Sequence, residues 1–129
     1  MSKTNDLKKL MVLKLNNISA IKKKIYFENA TPNAGYPHAV YTFKNVSLDS
    51  IDRDDIIVEV DIWDKSESTN LVDDISDDVE QELSFLNEPT TINLPTIYKT
   101  GRASIPDDDK SIKHRRLSFL LQNYERNTD

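Results

Sequence analysis

Polar and apolar residues alternate along Asp55–Asp64 (DIIVEVDIWD), where Ile56, Val58, Val60 and Ile62 fall on one side and Asp55, Glu59 and Asp61 on the other. A period of two with one acidic side predicts a half-buried antiparallel strand. The period then lengthens. Val72, Ile75, Val79, Leu83 and Leu86 recur at steps of three and four, which predicts a helix with one apolar stripe, capped by Ser66 or Ser68 and stopped by Pro89. Near the N-terminus Leu7, Leu10, Met11, Leu15 and Ile18 trace a similar stripe, with Thr4 or Asn5 as cap and an end near Asn16–Asn17.

The remaining segments carry weaker patterns. Lys22–Phe27 (KKKIYF) predicts a short strand with a basic start, and Glu28–Tyr36, which holds Pro32 and Gly35, predicts a loop. After Pro37, Ala39, Tyr41 and Phe43 alternate, but Val46 and Leu48 continue on the opposite parity. One extra residue near Lys44–Asn45, a β-bulge, accounts for that switch. Ser50–Arg53 predicts a polar turn. Pro95 interrupts Thr91–Ala103, which is therefore expected as loop or edge strand. Ile105–Lys110 predicts a loop, and Ile112–Tyr124 a last strand with Leu117, Phe119 and Leu121 on one side. Glu125–Asp129 is expected to be frayed.

The order α, β, β, β, α, β, β predicts an α+β fold over residues 1–129, a single small domain with a largely antiparallel sheet and two helices packed on one face. The expected core is Ile56, Val58, Val60, Ile62, Val72, Ile75, Val79, Leu83, Leu117, Phe119 and Leu121. A sheet of this kind leaves edge strands, which invite pairing with another chain.

At 129 residues the chain suits one core. The sequence contains no cysteine, which excludes disulfides, thiolate nucleophiles and Cys-ligated zinc. The longest apolar run near the N-terminus, Leu10–Leu13, is too short for a signal segment or a membrane span, so an intracellular setting without a membrane is expected. The net charge of −5 conceals a segregation. Residues 1–48 carry eight lysines against two acids, residues 49–88 two bases against fifteen acids, and residues 89–129 seven bases against five acids. Basic ends and an acidic middle suit head-to-tail or stacked contacts between copies, where opposite potentials set orientation. A solvated acidic helix beside a few surface lysines explains the same pattern without a partner.

Candidate chemistry is sparse. His38 and His114 sit in or beside strands without a partner motif, and no G-x-S-x-G occurs. Asp107–Asp109 fails as a calcium loop, because Ile112 and Ser118 stand where glycine and glutamate are needed. Asp73/Asp77 and Asp74/Asp78 are spaced to share a cation, but no histidine supports a metal centre, and a solvated helix face explains them. Lys22–Lys24 and His114–Arg116 are basic, yet the pI of about 5.0 argues against a dedicated nucleic-acid binder. No catalytic, cofactor-binding or metal-binding residue is therefore expected, and no cofactor. Trp63 is expected in core or rim packing.

Four pieces of the chain taken together resemble the tail-completion (tail terminator) proteins of long-tailed bacteriophages. They are Tyr36-Pro37-His38 opening a strand, Val58–Asp64 (VEVDIWD), Tyr98-x-x-Gly101 leading to Ile105-Pro106-Asp107, and the charged-then-apolar terminal strand. The resemblance spans the first helix to the final strand and implies a structural virion protein without enzymatic activity. It implies a hexameric ring at the head-proximal end of the tail tube, built in the host cytoplasm. The implied partners are further copies of the chain, the major tail tube protein and the head-completion or connector protein, with DNA passing through the ring. A head-completion adaptor and a small monomeric acidic adaptor are the alternatives. Within Tyr98–Lys110, expected to be a contact loop, the candidate interface residues are Tyr98, Lys99, Arg102, Asp107, Asp108 and Asp109.

Overall fold

A computed structural model of the protein describes residues 2–46 and 53–125. In chain order it contains helix α1 (Lys3–Leu15), strands β1 (Ile25–Phe27), β2 (His38–Val46) and β3 (Arg53–Lys65), helix α2 (Asn70–Leu83), and strands β4 (Asn93–Ile105) and β5 (Ile112–Glu125). A single 3-10 turn, Ser19–Ile21, follows α1. The five strands form one sheet in the order β1-β2-β3-β5-β4, with β1 parallel to β2 and every other pair antiparallel. This is the expected α+β arrangement.

Register explains the core. Val60 lies opposite Tyr41 on β2 and Leu117 on β5, and Val58 lies opposite Phe43 and Phe119. Residues directly opposite share a side of the sheet, so Ile56, Val58, Val60, Ile62, Leu117, Phe119 and Leu121 form one apolar surface. Both helices pack there. Val72, Ile75, Val79 and Leu83 of α2 and Leu7, Met11 and Leu15 of α1 are each no more than 1% exposed within that cluster. All eleven expected core residues are buried.

Polar contacts fix α1. Ser2 caps it, its hydroxyl accepting from the Asn5 amide at 3.0 Å, ahead of the expected Thr4 or Asn5. Asp6, in the first turn, accepts from the Thr90 hydroxyl and from Asn93 Nδ2 (2.8 Å), and Asn93 accepts from Asn123 Nδ2 at 2.7 Å. Asn93 and Asn123 are fully buried, so this network joins α1 to the start of β4 and the end of β5.

Four expectations need correction. The bulge near Lys44–Asn45 is absent, because β2 pairs with β3 without interruption from His38↔Trp63 to Val46↔Asp55. The irregularity lies instead in β4, between Lys99 and Gly101. Helix α2 stops at Leu83, well before Pro89, because Phe85 takes a left-handed φ of 59° that no helix continues through. Leu86 thus leaves the helical stripe and packs against the core from beyond the helix. Its cap position is Thr69, while Ser66 and Ser68 close local turns onto the amides of Ser68 and Asn70. Finally, Tyr98–Ile105 is strand and not loop, and only residues 106–111 connect β4 to β5. Leu48, most of the Ser50–Arg53 turn and the tail beyond Glu125 lie outside the described residues; Arg53 and Glu125 themselves are strand.

Strand β4 is an edge, as Pro95 requires. Its first half is nonetheless covered. The Phe85 amide donates to the Ile97 carbonyl (2.8 Å), the Ile97 amide donates to the Leu86 carbonyl (2.9 Å), and Asn87 bridges Thr96.

Candidate interaction surfaces

The sheet face opposite the helices carries no second layer among the described residues. Its side chains order themselves in rows. His38, Trp63, His114 and Ile105 stand opposite one another across four strands. Trp63 stacks on His38 (centroids 5.3 Å, 17°) and on His114 (4.2 Å, 24°), so the tryptophan is sandwiched between the two histidines. Tyr36 and Tyr26 extend the row at 5.4 Å and 6.3 Å from His38. Trp63 thus packs at the strand end, as expected.

The next row is ionic. His114 Nε2 lies 2.7 Å from Asp61 Oδ1, Arg116 Nε donates to the same oxygen at 2.9 Å, and Arg116 also reaches Glu59 at 3.3 Å. Burial alone raises the Asp61 carboxyl, but hydrogen bonds and charge from His114 and Arg116 outweigh it and hold the group below its usual value. His114 therefore has a buried structural partner.

On the helix side, the irregularity at Lys99–Gly101 shifts the parity of β4. Arg102 stands opposite Leu117, on the side that faces α2. Its guanidinium bonds Asp77 (2.6 Å), Glu80 (3.1 Å) and Asp73 (3.3 Å), and Arg115 Nε joins Asp73 at 2.9 Å. Lys99 lies 3.6 Å from Glu80. Asp73 is pulled upward by burial and downward, more strongly, by Arg115, Thr69 and Arg102. The carboxylates spaced four apart on α2 are thus bridged in part by this chain's own arginines. Asp74 and Asp78, the second such pair, face solvent.

The six candidate interface residues therefore separate into two places. Tyr98, Lys99 and Arg102 lie on β4. Tyr98, 39% exposed, meets the ring of Phe85 edge-on at 6.5 Å, and Phe85 is 79% exposed. Asp107, Asp108 and Asp109 lie in the β4–β5 connection, all exposed. Asp107 accepts from the Asp109 amide (2.9 Å), and Asp109 accepts from the Ser111 amide and hydroxyl (2.9 and 2.7 Å). Those bonds to Ser111 keep the Asp109 carboxyl below its ordinary value. Asp108 makes no side-chain hydrogen bond among the described residues.

Two surface features escaped the sequence reading. Phe85 lies off the predicted helical stripe and has no role in the sequence pattern, whereas in the fold its backbone is left-handed (φ 59°) and its ring stands exposed. The apolar patch Leu94, Tyr98, Leu120 and Tyr124 arises because Tyr98 pairs with Leu120 and Leu94 with Tyr124 across β4 and β5. Such cross-strand neighbours are invisible along one chain.

No protein-family model matches the chain, and no curated protein does. Among solved structures, the fold is similar to a chain in the virion of a native gene transfer agent particle. The likeness has a TM-score of 0.65 at 9% identity and covers 87% of this chain and 84% of that one.

Proposed function

We propose that the protein is a structural subunit of a phage-like virion, a ring that closes the tail tube at its head-proximal end and joins it to the connector. The observation that carries this is the shared fold with a virion chain over nearly the whole length of both. The resemblance of Tyr36–His38, Val58–Asp64 and the terminal strand to tail-completion proteins points the same way. The surface suits assembly: an uncovered sheet face with exposed aromatics and a half-open strand edge.

In this role the molecule needs no catalytic group. Each copy would contact its neighbours through the sheet edges, the tail tube protein through one rim and the connector through the other. Asp107–Asp109, in the exposed β4–β5 connection, would meet a basic partner at one rim. DNA would pass through the opening without base-specific contacts.

The test is to produce particles without this protein and image them by negative stain. Filled heads separate from overlong or unjoined tails are expected. Normal tails beside heads that have lost their DNA would favour the head-completion position instead. Normal joined particles would refute a role in the virion.

A further inference from the structure

We infer that the solvent side of α1 docks a short acidic segment of a partner protein, whose apolar side chains enter two hollows on either side of Leu13. The inference goes beyond the ring assignment and does not rest on it.

Helix α1 buries Leu7, Leu10, Met11 and Leu15, yet its opposite side is not purely polar. Leu13 is 62% exposed there, more than any other leucine among the described residues. A hollow lies on each side of it. One, of about 490 Å³, opens between Lys8, Val12 and Asn16 of the helix and Tyr41 of β2. The other, of about 240 Å³, opens between Leu10 and the Glu88–Thr90 stretch that leads into β4. Lys9 and Leu13 line both, and so form the ridge between them. The floor of the larger hollow is fixed. The Tyr41 ring meets Phe27 and Phe43 edge-on at 5.1 and 5.7 Å, and its hydroxyl donates to the Lys8 carbonyl at 3.4 Å. A surface already shaped before contact loses little on ordering when a ligand fills it.

Charge selects the occupant. Lys8 and Lys9 stand at the rim without a carboxylate partner among the described residues, the Lys8 ammonium lying over the Phe27 ring at 4.3 Å. Asn16, at the far end of the larger hollow, accepts from the Lys23 amide at 3.0 Å and so brings the Lys22–Lys24 turn alongside. Those three lysines also lack a carboxylate partner among the described residues. The acids that line the smaller hollow are committed, Asp6 to Thr90 and Asn93, and Glu88 to Lys14. Glu28, whose amide donates to the Tyr41 carbonyl, is the nearby exception. A basic rim around an apolar floor fits a peptide segment that alternates acidic and apolar residues. Duplex DNA would use the lysines and leave the floor unused, because its contacts are chiefly to phosphates. A second copy fits poorly, since α2, its acidic element, buries Val72, Ile75, Val79 and Leu83 in its own core.

The test titrates the full chain into a fluorescein-labelled peptide of Leu-Glu-Asp-Phe repeats and follows anisotropy. Saturable binding that weakens with added salt is expected. Control peptides with lysine in place of the acids, or serine in place of leucine and phenylalanine, should bind at least about tenfold more weakly. Leu13→Ser and Lys8→Glu/Lys9→Glu change only solvent-facing side chains, so circular dichroism should show the parent fold, while peptide affinity falls about tenfold or more. Leu71→Ser, at an exposed leucine on α2, should leave affinity unchanged. An equal loss in Leu71→Ser, or binding that survives the α1 substitutions, would place the contact elsewhere and overturn the inference. So would binding of duplex DNA or phosphatidylglycerol vesicles with no binding of the peptide, self-association lost in Leu13→Ser, or no binding of any probe. Each of these failures leaves the ring assignment standing, because that is decided by particle assembly.

Discussion

Asp61 and His114 face each other diagonally across β3 and β5, with Oδ1 and Nε2 2.7 Å apart and each residue less than a tenth exposed. Burial pushes the Asp61 carboxyl up, but the hydrogen bonds from His114 and from Arg116, which donates to the same oxygen, outweigh it and hold the group below its usual value, so the sign of the pH dependence follows. A group whose folded value is depressed adds stability that is full above its unfolded value, near 3.9, and that fades as pH falls toward the folded value. Thermal midpoints should therefore fall as pH drops from about 5 to 3. Asp61→Asn should lower stability by about 1.5–3 kcal/mol at pH 7 and flatten the acid slope. An unchanged slope would show that Asp61 is not the group responsible.

At the alkaline end Tyr41 plays the opposite part. Burial pushes its phenol up to about 12, so the folded state resists forming the phenolate. Stability is unaffected below about pH 10, where the unfolded phenol is still neutral, and is lost as pH rises from there toward 12. Absorbance titration of the native protein should show one tyrosine ionising late, and Tyr41→Phe should remove that phase. A Tyr41→Phe titration identical to that of the parent would contradict this.

Core packing gives a third expectation. Ile75→Ala opens a cavity between α2 and the sheet and should cost about 2–5 kcal/mol in urea denaturation. Ile57→Ala, on the uncovered face, should cost clearly less. Equal costs would mean that the two sides of β3 have been exchanged.

The ion pairs of Arg102 revise what a charge change there would do. Read as a residue of a contact loop, it would be replaceable without effect on the monomer. On β4, with three acidic side chains of α2 around it, Arg102→Ala should cost about 1 kcal/mol, since partly exposed pairs contribute little each. Asp108→Lys, in the exposed turn, should fall within about 0.5 kcal/mol of the parent. Chemical denaturation of the two variants side by side separates the cases.

Two of the corrected places, β4 and the supposed bulge in β2, show what the residue order carries and what it does not. Strand β3 and helix α2 were legible because each buries one side and so writes its period into the residue order. Strand β4 was not, since its first half is covered by Phe85–Asn87 and its second half leans on an ionic network. Neither leaves an alternating apolar trace. The parity change of Val46 and Leu48 imitates a bulge, while the real one at Lys99–Gly101 is marked only by a single glycine in a polar stretch. Among the candidate interface residues, the chain alone identified polar, exposed positions. It could not show that Arg102 would be occupied by its own α2, because those partners lie more than twenty residues away.

Native mass spectrometry across a wide concentration range decides whether copies of this 14.8 kDa chain close into a ring. Monomer is expected at low concentration and, as concentration rises, one closed species of six subunits that disappears with added salt before ionisation. A dimer or trimer that persists at every concentration would contradict it.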